Sequence, residues 1–418
     1  VSAYQHILPK EDFINASNAL RDVVLRTPLM KNITLSEEFE CNVFLKREDL
    51  QSVRSYKIRG AYNKMISISP EEADRGIVCA SAGNHSQGVA LACQILGIHG
   101  VVYMPNTTPQ QKIRKVKRFG KEFIEVRLIG DTFDDAYHEA MRFSHDEGKV
   151  FIHPFDDPKT IAGQGTVGVE IIEDSKVAID YLFLAIGGGG LAAGIGSYFK
   201  YMSPETKIIG VEPEGAPAMY DSLRKGEVVH LDKIDSFVDG AAVKKVGDLN
   251  FKICQEVLSD MLIVKEGKVC STILEMYNEE AIVVEPAGAL SISALDQYRD
   301  RIKGKNIVCI VSGGNNDITR TEEIRERSLL YEGRKHYFII RFPQRAGALM
   351  DFLEVLGPDD DIAYFEYTKK TNRSSGPAVV GIELKQKEDY PLLIERMNKK
   401  GIQYETVNDN PNLMGILV

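Results

Sequence analysis

An amine, a polar turn and a run of glycines are the residues whose types and spacing could do chemistry. Lys57 lies in Ser55-Tyr56-Lys57-Ile58-Arg59-Gly60-Ala61, between an aromatic and an aliphatic residue and just before a Gly-Ala pair. A lysine in that setting is a poor solvated charge, and burial depresses an amine's pKa enough to make it a Schiff-base nucleophile. A helix-start lysine exposed to solvent is the plain alternative. Ser81-Ala82-Gly83-Asn84-His85 follows an apolar run and opens a helical pattern. Asn84 can donate to a phenolate-like oxygen, and the Ser81 hydroxyl with nearby N–H groups can hold a carboxylate. The same Asn and Ser also suit a helix cap, and His85 reads more readily as structural than catalytic.

Gly187-Gly188-Gly189-Gly190-Leu191 stands between an apolar strand and a helical run. Consecutive glycines let backbone N–H groups converge on an anion, and a helix N-terminus adds a favourable dipole. A tight turn needs fewer glycines than this. Gly188-x-Gly190-x-x-Ala193 also fits the dinucleotide fingerprint, with the acidic Glu212 about 20 residues on. By motif logic alone an NAD enzyme stays open, but that reading leaves Lys57 and the Asn84 loop unexplained. Ser312-Gly313-Gly314-Asn315 closes the last apolar strand, where Ser312 could meet a heterocycle nitrogen or simply make a turn. An amine, a ligand-holding turn and a phosphate cradle are together what pyridoxal phosphate requires.

The elements that must position these residues are legible in outline. Short apolar runs at 76–80, 101–104, 181–185, 207–211 and 306–311 alternate with helical patterns such as His85–Leu96 and Thr132–Glu147. Alternation of this kind predicts an α/β fold with mainly parallel sheets, and ligands in such folds sit at the carboxyl ends of strands. The glycine-rich motifs all fall at those ends. Near Arg320–Arg334 the composition turns to a charged helix or linker. Beyond it, strand patterns at 335–342, 363–368, 378–384 and 402–406 and helical ones at 346–356 and 390–400 give the order βαββαβ, a ferredoxin-like α+β unit. The expected division is 1–325, with a small subdomain at roughly 50–150, a linker at 326–334 and a second domain at 335–418.

Bulk properties exclude several classes. The 418 residues suffice for two or three domains, and the net charge of -9 argues against nucleic-acid binding. No apolar run of about 18 residues predicts a membrane span. The six cysteines are scattered without a C-x-x-C pair, which suits reduced thiols. Val1–His6 holds no signal-peptide core, so the expectation is a cytoplasmic protein.

In their order the motifs resemble the biosynthetic threonine dehydratases (threonine ammonia-lyases), fold-type II pyridoxal-phosphate enzymes with a two-subdomain, tryptophan synthase β-like catalytic domain. The resemblance spans nearly the whole chain and includes Glu285-Pro286-Ala287-Gly288-Ala289. It implies that Lys57 is the Schiff-base lysine and the base at Cα. Asn84 would bind the ring hydroxyl, Gly187, Gly188, Gly189, Gly190 and Leu191 the phosphate, and Ser312 the pyridine nitrogen. Ser81, Ala82, Gly83, Asn84 and His85 would hold the substrate, with no chemical step for Glu285. The implied reaction converts L-threonine, and also L-serine, to a 2-oxo acid and ammonia. A serine dehydratase, a racemase or a β-replacement enzyme of the same fold is the alternative. Serine racemases are similar but carry a serine at the position of Ala82, so elimination without racemisation is expected. Some relatives hold a divalent ion with a glutamate at the Glu212 position and an aspartate six residues on. That second position is Ala218 here, and no required divalent metal is expected. Phe342-Pro343-Gln344-Arg345-Ala346-Gly347-Ala348-Leu349 resembles the ACT-like regulatory domain of isoleucine-controlled enzymes. It implies one such domain, isoleucine as inhibitor, valine as its opponent, and a homotetramer.

Overall fold

The computed structural model describes residues 5–367 and 374–417. Contacts divide the chain into a unit running to Glu266 and including Glu279–Asn316, and a second made of Gly267–Asn278 with the residues from Asp317 on.

The first unit has strands β1 (Leu29–Asn32), β2 (Asn42–Arg47), β3 (Ile77–Ala80), β4 (Gly100–Met104), β5 (Ile124–Leu128), β6 (Val150–Phe151), β7 (Tyr181–Ala185), β8 (Lys207–Pro213), β9 (Asp260–Val264) and β10 (Asn306–Val311). They form two sheets, ordered β1-β2-β10-β7-β8-β9 and β5-β4-β3-β6. Every pairing is parallel except β1 with β2. Residues of β3 and β4 are buried throughout, as strands covered by helices on both faces must be. The smaller sheet lies largely in residues 50–150 and has its own apolar core around Ile77, Val102 and Val89.

The helix Lys57–Met65 carries the amine, and a buried ionic network fixes it. Arg59 is fully buried. It donates to Glu48 through Nε (2.9 Å) and Nη2 (2.8 Å), and to Glu170 through Nη1 (2.7 Å). Lys46 on β2 reaches the same Glu170 (2.5 Å) and the Thr27 carbonyl (2.6 Å). Thr27 Oγ1 (2.5 Å) and Gln51 Nε2 (3.2 Å) complete the shell of Glu48. Burial would raise the Glu48 carboxyl, but Arg59, Lys46 and Thr27 hold it below the usual carboxylate range. Gly88 lets the helix Asn84–Leu96 press against this one, since a Cβ there would lie 3.1 Å from the Lys57 carbonyl.

The second unit forms one antiparallel sheet from β11 (Lys335–Pro343), β12 (Asp361–Tyr367), β13 (Ser375–Glu383) and β14 (Tyr404–Thr406), ordered β12-β13-β11-β14. With helices Ala348–Leu353 and Tyr390–Lys399 this is the βαββαβ ferredoxin-like arrangement. Phe338, Ile340, Val380 and Ile382 pack with Phe352, Leu393 and Met397 in its core. The structure differs from the sequence reading in detail. The first helix is shorter than 346–356, because Gly347 at φ 82° precedes its start. The expected strand end at Thr368 lies outside the described residues. A further helix, Pro411–Leu417, follows β14. Residues 326–334 are not a free linker. The helix Thr321–Tyr331 buries Ile324, Ser328 and Leu329, and its Glu326 binds Lys335 Nζ and the Tyr337 hydroxyl. Among the described residues no helix is long and apolar enough to cross a membrane.

Breaking one partner of a buried ion pair costs about 3–5 kcal/mol. Glu48→Gln should destabilise the first unit by about that amount in urea unfolding at pH 7. Because Glu48 is held below its ordinary value, its contribution is complete above the usual carboxylate range. It is lost as pH falls through the lowered value. The gap between the variant and the parent should therefore close on acidification.

Candidate active site

Two distant motifs are stitched together at Lys57. The Tyr56 N–H donates to the Ser312 carbonyl (3.2 Å), Ser55 bridges Gly313, and the Gly314 N–H donates to the Arg54 carbonyl (2.9 Å). Lys57 then opens its helix, and its Nζ donates to the Pro154 carbonyl at 3.1 Å. Burial pushes this amine down to about 8, while the charge of Glu285 pulls it back up.

The glycine run follows β7 and leads into the helix Gly190–Met202. Gly189 takes φ 94°, which a side chain would resist. The N–H groups of Gly187–Leu191 have no partner within the described residues. Those donors and Lys57 line one pocket together with Tyr56, Phe155 and Gly240. A Cβ on Gly188 would stand 2.3 Å from the Phe155 ring. Asn250 Nδ2 clamps this contact by donating to the Phe155 (3.0 Å) and Gly188 (2.8 Å) carbonyls. Asp156 in turn accepts the N–H groups of Asp248, Leu249 and Asn250 at 3.0–3.2 Å, fixing the helix that carries Asn250. A buried amine facing a cradle of unpartnered N–H donors fits pyridoxal phosphate, an aldehyde tethered to an anion.

Ser81 and Asn84 flank the start of the helix Asn84–Leu96 at the end of β3. Ser81 Oγ accepts the Gly83 N–H (3.1 Å), and Ala82 and Gly83 are half-buried. His85 is turned elsewhere. Its ring is buried with Nε2 on the Ile152 carbonyl (2.8 Å), and burial and the charge of Lys57 push it down to about 3. It is therefore a neutral residue, its Nδ1 buried without a partner among the described residues. Ser312 is buried at the end of β10. Ser312 and Asn84 do not line the Lys57 cavity. Ser312 joins it through Tyr56, and Asn84 through Glu285, to which its Nδ2 donates at 2.6 Å.

Sequence reasoning assigned no step to Glu285 and missed Phe155, Asn250 and Asp156 altogether. Glu285 is fully enclosed. Burial, then the charge of Asp239, pushes its carboxyl up to about 7, while Asn84, the Asn315 N–H and Lys112 pull it back. Glu212 gives both oxygens to the N–H groups of Met219 and Tyr220 (2.8 Å each), at the start of the helix Ala218–Lys225. Burial lifts that carboxyl to about 8.

Residues 20–313 match the family of pyridoxal-phosphate dependent enzymes, and residues 326–417 match the C-terminal regulatory domain of threonine dehydratase. The chain is 60% identical over 409 residues to the biosynthetic L-threonine dehydratase of Halalkalibacterium halodurans, covering 98% of this chain and 99% of that one. The chain belongs to the biosynthetic L-threonine dehydratase family. A second member, from Bacillus subtilis, is 58% identical over 413 residues, covering 99% of this chain and 98% of that one. The processed form of threonine deaminase isoform 2 from Solanum lycopersicum superposes with a TM-score of 0.73 at 42% identity, covering 77% of this chain and 88% of that one. As in the family at large, the cofactor of this dehydratase is pyridoxal phosphate.

The neutral amine is the nucleophile, so cofactor-free protein should take up pyridoxal phosphate faster as pH rises through a midpoint near 8. Glu285→Gln removes a charge that raises the Lys57 pKa and should move that midpoint to lower pH. Stopped-flow absorbance follows both. An unmoved midpoint would mean that the two groups do not interact.

Proposed function

We propose that this chain converts L-threonine to 2-oxobutyrate and ammonia, with L-serine as a second substrate, at the first committed step of isoleucine biosynthesis. One observation carries the reading: Lys57 Nζ and the unpartnered N–H groups of Gly187–Leu191 meet in one cavity of a chain that belongs to this family. Pyridoxal phosphate, when bound, supplies a sink for the electrons released at Cα.

The residues divide the remaining work. Gly187–Leu191 hold the phosphate with backbone N–H groups at the start of a helix. Lys57 would hold the cofactor and, as a free amine, would take the Cα proton, for which a pKa near 8 suits it. Ser81 and its loop, Ala82, Gly83, Asn84 and His85, would receive the substrate carboxylate. Asn84 donates to the ring oxygen. Ser312, a neutral hydroxyl, would hold the ring nitrogen without adding a charge to it, a setting that would favour prompt loss of the β-hydroxyl. Ala82 has no proton to return to Cα.

The second unit would form the regulatory domain and the first the catalytic domain. Isoleucine binds there and inhibits by favouring a less active state, and valine opposes it. The working form is a cytoplasmic homotetramer.

The decisive measurement is 2-oxo acid release from L-threonine with and without L-isoleucine. Turnover should be suppressed by isoleucine, and Lys57→Ala should cut kcat by about 10³-fold. Turnover blind to isoleucine would remove the effector. A holoenzyme silent on threonine but active on serine would make it a serine dehydratase. With L-serine, chiral chromatography should find no D-serine accumulating. Racemisation as fast as dehydration would refute the role given to Ala82.

A further inference from the structure

The side-chain amide of Asn84 is held from both ends by groups of opposite character. Its Nδ2 donates to Glu285 Oε1 (2.6 Å), and its Oδ1 accepts from Asn315 Nδ2 (2.8 Å). An amide can be turned over with little change of shape, so its neighbours decide which end is nitrogen. Asn315 is itself pinned. Its Nδ2 also donates to the Val53 carbonyl (2.8 Å), and its Oδ1 accepts from Lys115 Nζ (3.0 Å). A backbone carbonyl and an ammonium each have one hydrogen-bonding sense, so Asn315 cannot reverse. Turning Asn84 over would then set N–H against N–H on one side and carbonyl against carboxyl oxygen on the other.

Glu285 is equally constrained. Its backbone N–H donates to the Gly313 carbonyl (3.2 Å), and its Oε2 accepts the Asn315 N–H (3.2 Å). Gly313 gives it room, because a Cβ there would lie 2.2 Å from Oε1. Both carboxyl oxygens are therefore spent on N–H donors, one of them Asn84. One hydrogen of Asn84 Nδ2 is left without a partner among the described residues.

We propose that Glu285 and Asn315 are positioning residues that lock the Asn84 amide so that it offers an N–H, and never a carbonyl, to an oxygen of the bound cofactor ring. The inference rests on the reading that pyridoxal phosphate occupies the Lys57 cavity. Glu285 thereby gains a task without touching the reacting atoms, and Lys115 and Val53 anchor the far end of the chain of bonds. A carboxamide at position 285 cannot replace the carboxylate. It accepts on one oxygen only, so either Asn84 or the Asn315 N–H loses its acceptor.

A double-mutant cycle tests this on the full-length protein. Asn84→Ala, Glu285→Gln and Asn315→Leu are made singly, and each of the last two is combined with Asn84→Ala. Two quantities are read: the dissociation constant for pyridoxal phosphate and the absorbance maximum of the bound cofactor. Each single change should weaken retention by about tenfold, the size of one charge-assisted hydrogen bond, and shift the maximum in the same direction. Combined with Asn84→Ala, Asn315→Leu should add nothing. Asn315→Leu keeps the Glu285 charge beside Lys57, so it separates orientation from electrostatics. It also serves if Glu285→Gln fails to fold. Additive effects in the Asn315 cycle, with the parent's visible band intact, would overturn the positioning role alone. A parent protein that acquires no visible band with pyridoxal phosphate would overturn the cofactor reading and this inference with it.

Discussion

Everything at the site depends on a charge that cannot reach water. Arg59 follows Lys57 by half a turn of the same helix and is wholly enclosed, so its guanidinium must be paired where it lies. Glu48 meets it from the end of β2 and Glu170 from the helix Pro158–Asp174. Lys46 balances the second of these carboxylates. A buried network of this kind is weak evidence for added stability but strong evidence for one arrangement, because any other leaves a charge unpaired. The helix can neither slide nor rotate, and Lys57 inherits that fixity. The amine enters the cavity at a set place because its neighbour two positions along is immobile.

Around the amine the electrostatics are tuned by exclusion of water. Lys57 is lowered by burial and Glu285 raised by it, so both approach neutrality from opposite sides. Groups brought into this range can hold or release protons near physiological pH. The glycine run contributes charge of another kind. Its backbone donors are left unbonded at a helix start, with the Phe155 ring closing over them and Asn250 clamping the loop from behind. Side chains on those glycines would press on Ala241, Phe155, Asn250 or Met219, so the cradle exists because the chain there is bare.

The sequence alone determined what is local or periodic. Buried strands announce themselves as short β-branched runs, and ligand-holding turns as glycine and small polar residues at their ends. The placing of Lys57, Ser81, Gly187–Leu191 and Ser312 at strand ends or helix starts, and the βαββαβ order of the second unit, follow from such patterns. Tertiary structure decided what depends on partners far along the chain. Glu285, Asn84 and Asn315 lie in three separate segments, and the sense of their hydrogen bonds exists only once those segments meet. Phe155 sits in a loop whose sequence shows no periodicity, yet it forms a wall of the cavity. His85 lies beside Asn84 in the chain, and helical rotation turns its ring to Ile152. The supposed linker is part of a packed unit because Glu326 finds Lys335 and Tyr337 across a turn. Periodicity reports which face of an element is buried, but not which distant side chain it will be buried against. That is settled by the pairing of charges and donors after the chain has closed.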